Sequence, residues 1–182
     1  MQPNTATIKA VEASMHNALS RSAIAYNTGA DTVDNGRDVF NRLGDGIKEV
    51  REALEAEGTD NAASKSALLL DPNTFTEFTT TVEAMGEAFT EAEMARLEGE
   101  QHLHRLIAMT AAATELPAQE RTRLGRIIKA AQTNVSQFRA LIKKRQDFLN
   151  FLDTFFFFFN MVHLLRRQSH VLGQLKAPGT LL

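Results

Sequence analysis

The chain has 182 residues, 43% hydrophobic and 23% charged, with a formal net charge of −2 and no cysteine. That length suits one domain, or one domain with an extended arm, and the composition excludes wholesale disorder. The lack of cysteine excludes disulfides, thiolate metal sites and cysteine nucleophiles, and four prolines with ten glycines are too few for a turn-rich β protein.

The opening stretch, MQPNTATIKAVEASMHNALS, has no basic region followed by an apolar one. A cleaved secretory signal is therefore not expected. The expectation is a cytoplasmic protein, or one exported by a route independent of such a signal.

The first helix is predicted from about Ala6 to Asn27, where Ile8, Val11, Met15 and Leu19 recur at helical spacing. TGADTVDNG then reads as a loop from its Gly, Asp and Asn content. A second helix is predicted over Arg37 to Glu57. Phe40, Leu43, Ile47, Val50 and Leu54 follow one another at three and four residues, the narrow stripe of a heptad. EGTDNAASKS reads as loop. Asp71-Pro72 starts a third helix, because proline suits a first position whose N–H has no partner.

The third helix is predicted to run to about residue 115. Phe75, Phe78, Val82, Met85, Phe89 and Ala92 keep a heptad. The apolar frame then slips: Met94, Leu97, Leu103, Leu106 and Ile107 lie on other stripes, with Gly99 inside the slip. Leu116-Pro117 breaks the helix and opens the fourth, predicted over 117–175, with Leu124, Ile128, Ala131, Val135, Phe138 and Ile142 as its seam. At 1.5 Å per residue such a helix spans roughly 85 Å. The expected fold is all-α: an elongated, coiled-coil-like helical bundle of four main helices. Residues 1–182 form a single domain in that reading, with a long antiparallel C-terminal hairpin.

Charge is segregated about Leu116-Pro117. Residues 1–115 hold 9 Lys/Arg and 19 Asp/Glu, a net of −10; residues 116–182 hold 11 and 3, a net of +8. A basic patch is expected at Arg139, Lys143, Lys144, Arg145, Arg166 and Arg167. The plainest reading is mutual neutralisation, within a subunit or between neighbours. Nucleic-acid binding along the basic helix is the weaker alternative, because no reader motif accompanies it.

The most unusual stretch is DFLNFLDTFFFFFNMVHLLRR. At 100° per residue, Phe148, Phe151, Leu152, Phe155, Phe158 and Phe159 fall on one face, an ordinary core stripe. Phe156, Phe157, Met161 and Leu164 lie off it. These ten residues make a candidate interaction belt, and Phe157 stands where a self-contained amphipathic helix would be polar. As a membrane span the stretch is marginal. Asp153 near its centre costs about 2.5–3.5 kcal/mol, against about −0.3 for each phenylalanine.

No catalytic, cofactor or metal residue emerges. EGEQHLHRL pairs Glu98 with His102 and Glu100 with His104, but lacks the spacings of di-iron bundles or zinc proteases. Asp31–Arg42 and Asn41–Glu52 fail as calcium loops, with Val33 and Leu43 at ligand places. No phosphate-binding glycine loop or nucleophile elbow is present, so the chain is not read as an enzyme and no small-molecule substrate is evident. The function expected is structural: a subunit of an oligomer, filament, shell or secretion apparatus that associates with itself, or with another helical protein, through the belt and its complementary charged segments. A translocator or effector touching membrane through the belt is the runner-up, and a nucleic-acid-coating protein comes third.

Overall fold

The computed structural model describes residues 4–57 and 72–175, apart from the side chains of 46, 47, 49–51, 53–57, 72, 74, 75 and 153–175. Among the described residues the protein is all-α, with four helices and no strand. We number them α1 (Thr5–Asn35), α2 (Arg37–Glu57), α3 (Pro72–Ala112) and α4 (Ala118–Leu175). The chain divides into two compact units, Met1–Arg145 and Gln146–Leu182, and the boundary falls within α4.

Asn4 caps α1. Its Oδ1 accepts hydrogen bonds from the Thr7 N–H and the Thr7 hydroxyl, both at 2.8 Å, which occupies one of the otherwise unpaired first-turn donors. The helix does not stop at Asn27. It continues through TGADTVDNG to Asn35, and only Gly36 separates it from α2. Thr28 and Thr32 donate to the carbonyls of Ile24 and Thr28, one turn back, so they do not break the helix. Gly29 and Gly36 are there for proximity and not for a turn. A methyl group on Gly29 would lie 2.7 Å from Cε1 of Phe89, and one on Gly36 would lie 2.5 Å from Cγ2 of Thr81. Gly36 itself has φ −83° and ψ 0°, which any residue adopts.

These glycines belong to a hidden heptad. Ile8, Met15, Ser22, Gly29, Gly36 and Leu43 are each buried and recur every seven residues through the α1–α2 junction. Hydrophobicity alone misses it, because three of those six positions are Ser or Gly. In α3 the buried positions likewise run Met85, Phe89, Ala92, Arg96, Gly99, Leu103 and Leu106 without a slip. The apparent frame change in the sequence arises because Arg96 and Gly99 hold seam positions. Met94 and Leu97, which suggested the new frame, are 62% and 45% exposed.

α1 and α2 run antiparallel to α3. Leu19 fills the notch at Gly99, the Ser22 hydroxyl donates to the Ala92 carbonyl at 2.8 Å, and Tyr26 and Phe89 tilt their rings together at 5.9 Å. Further on, the Phe40 and Phe78 rings meet edge-on at 5.7 Å, and Arg42 pairs with Glu77 at 2.9 Å. Throughout, rising numbers on one side meet falling numbers on the other. The first part of α4 closes the core. Leu124, Ala131 and Val135 join Ile8, Met15, Leu19, Leu103 and Leu106, and Ala113 and Leu116 seal the α3–α4 connection. Each buried leucine, isoleucine, valine or methionine among them contributes about 1.5–3 kcal/mol by leaving water.

Candidate interaction site

Two charged networks tie the acidic part of the chain to the basic helix. The first is built on Arg96, whose side chain is 3% exposed. Glu93 stands one turn before it and Glu100 one turn after, at spacings that put all three on one side of α3. The Arg96 fork donates twice to Glu93 and once to Glu100, each at 2.7 Å. Glu100 then accepts from Nη2 of Arg139 on α4, at 2.7 and 3.0 Å. The hydrogen bond from Arg96, and then that from Arg139, hold the Glu100 carboxyl below its ordinary range against the opposing effect of burial. Arg96, gripped chiefly by Glu93, has its pKa raised further. A buried guanidinium is tolerable here because every face of the fork meets a carboxylate.

The second network joins α1 to α4. Arg123 donates through both terminal nitrogens to the two Glu12 oxygens, at 2.8 and 2.7 Å, and reaches Glu120 through Nε and Nη2 at 2.9 and 2.8 Å. Its hydrogen bonds lower the pKa of Glu12 and of Glu120, and both carboxylates raise that of Arg123. Arg21 and Glu98 form a further pair between α1 and α3. His102 stands 3.8 Å from the same Glu98, and its buried Nδ1 has no hydrogen-bond partner among the described residues.

The predicted basic patch is thereby divided. Arg139 is committed to Glu100. Lys143 and Lys144 are exposed and Arg145 is half-buried, with no ion pair to any of the three among the described residues. Arg166 and Arg167 lie outside the residues whose side chains are described. So do most of the predicted belt residues: Phe155, Phe156, Phe157, Phe158, Phe159, Met161 and Leu164. Of the remaining three, Leu152 is buried at 6%, Phe148 is half-buried and Phe151 is 63% exposed. The wheel had put Phe151 on the core stripe; the structure leaves most of its ring open.

Sequence reasoning counted these charges but did not pair them. The Glu93, Arg96, Glu100 spacing was a legible signal. The Glu12–Arg123 contact had none, since 111 residues separate the two. The histidine stretch does not act as a unit, because Glu100 turns to the two arginines and not to His104. Among the described residues no helix is long and apolar enough to cross a membrane. Comparison with family models, curated proteins and solved structures finds no match to this chain.

Proposed function

We propose that the protein is a structural, self-associating helical subunit. Its fold is a coiled-coil-like bundle in which α3 and the first part of α4 make a long antiparallel hairpin. The Glu100–Arg139 pair and the hydrogen bond from Arg121 to the Thr114 carbonyl support that pairing. Assembly uses the phenylalanine-rich belt together with the charged segments left unpaired inside one chain.

The observation that carries the reading is Phe151. A phenylalanine 63% exposed on a helix that goes on into FFFFF is apolar area that a single chain leaves in water. Covering it with another copy removes that cost without any further component.

Size-exclusion chromatography with light scattering tests the reading. The wild type is expected at a mass above the 20.2 kDa of one chain, and Phe151→Asp is expected to shift it toward the monomer with helicity unchanged. A wild type that stays monomeric at the highest soluble concentration sinks the proposal.

A further inference from the structure

Among the described residues, six glycines inside helices or at their junction divide into two kinds. Gly29, Gly36 and Gly99 each face a side chain of a neighbouring helix, at distances where a methyl group could not fit. Gly86 on α3 and Gly125 on α4 face nothing within 4 Å among the described residues. Glycine is the residue least suited to a helix interior after proline, so a glycine there with no packing reason is unaccounted for by the single chain. Its use in such a place is to let another backbone come close. Gly44 on α2 is open as well, but it has no run of like charge beside it.

Charge distinguishes the two open glycines. Gly86 lies in a shallow depression of about 490 Å³ lined by Glu83, Glu87, Thr90, Glu91 and Met94. The three glutamates follow at every fourth residue on the side of α3 away from Met85, Phe89 and Ala92, and all three are exposed. Gly125 is followed at once by Arg126 and, one turn on, by Lys129. Both are exposed and point away from Leu124, Ala131 and Val135. None of these five charged groups makes an ion pair among the described residues, whereas the inward charges Glu12, Glu100, Arg123 and Arg139 are all paired. The protein thus neutralises its inner charges and leaves, beside the unpaired Lys143, Lys144 and Arg145, an acidic and a basic outer ridge that each carry a notch in the backbone.

We infer that the acidic ridge around Gly86 docks on the basic ridge around Gly125 of a second copy, the two helices crossing at their glycines. This rests on the self-association proposed above and names its charged contact. The contact is heterologous: each copy spends its acidic ridge on one neighbour and its basic ridge on another, so the assembly grows into a ring or a filament. Spacing suits it, since Glu83 to Glu91 covers about 12 Å of helix, enough to flank Arg126 and Lys129 on both sides of a crossing.

The test uses the full chain with two charge-reversed variants, E83K/E87K/E91K and R126E/K129E, and a bulk variant, Gly86→Leu. Helicity is checked by circular dichroism; the altered charged positions are exposed, and a Cβ on Gly86 meets nothing within 4 Å among the described residues. Sedimentation is expected to show at least tenfold weaker self-association for each variant alone, and restored association when the two charge-reversed chains are mixed. Raising salt should weaken the wild-type contact. Unchanged association of either charge-reversed variant or of Gly86→Leu overturns the inference while leaving the belt-driven reading standing. So does loss that mixing fails to restore, which would show that the two ridges do not meet. A wild type that is monomeric throughout overturns both.

Discussion

Gly29 of α1 lies directly under the ring of Phe89 of α3, so close that a methyl group on the glycine would sit 2.7 to 3.0 Å from three ring carbons. Phe89 is fully buried and also meets Tyr26. The glycine is therefore part of the core, although its own side chain adds nothing to it. Gly29→Ala gains about 1 kcal/mol of helix propensity but overpacks the ring, which typically costs about 1–3 kcal/mol. The expected outcome is a net loss of stability in urea titration. Phe89→Leu alone should be destabilising, and in the double variant the alanine should cost less than it does alone. Simple additivity would refute the contact.

Arg96 and Glu100 depend on one another unequally. Removing Glu100 leaves a guanidinium 3% exposed with only Glu93, and strips Arg139 of its partner. Removing Arg96 leaves Glu100 still held by Arg139, and Glu93 with 29% of its side chain in water. Glu100→Ala should therefore cost roughly 2–4 kcal/mol, and Arg96→Leu distinctly less. Denaturant midpoints of the two variants decide it, and equal losses would contradict this account.

Acid should loosen the α1–α4 tie. Hydrogen bonds from Arg123 lower the Glu12 and Glu120 carboxyls below the ordinary 4.5, and those from Arg96 and Arg139 lower Glu100. A group whose pKa is lower folded than unfolded stabilises the fold above its unfolded value. That stabilisation is lost as pH falls through the folded value. These three groups should thus contribute fully at pH 7, and less and less below about pH 4.5. Arg123→Gln removes the depression at Glu12 and Glu120. The variant should be less stable than wild type at pH 7, and the gap should close on acidification. Urea titrations at pH 7, 5 and 3.5 measure the gap, and one that widens in acid contradicts the pairing.

Gly86 and Gly125 offer the opposite kind of substitution. With nothing within 4 Å of either, alanine meets no neighbour and removes a helix-breaking residue. Gly86→Ala and Gly125→Ala should each stabilise the single chain by up to about 1 kcal/mol, read as a raised midpoint in thermal or urea unfolding under dissociating conditions. Gly99→Ala should do the reverse, since its methyl would lie 2.7 Å from Cδ2 of Leu19.

The all-α class, the helix starts near Thr5, Arg37 and Pro72, and the seam of α4 were legible in the sequence. Apolar spacing and an Asp-Pro start are local signals, and local hydrogen bonding obeys them. Leu124, Ala131, Val135 and Ile142 are buried as their spacing implies, and Ile128 and Phe138 are half-buried. The tertiary structure decided what the exceptions mean. Gly29 and Gly36 suggest a loop until Phe89 and Thr81 are seen to fill the space beside them. Arg96 suggests a break in the heptad until two carboxylates of its own helix close round it. Burial of a glycine depends on what the opposite helix supplies, and no spacing within one segment records that, whereas the carboxylates that receive Arg96 stand on its own helix, at the spacing of Glu93 and Glu100. For the same reason Phe151 counts as core on a wheel and stands open in the folded chain: a wheel gives the face of a helix, and only packing shows whether that face is covered.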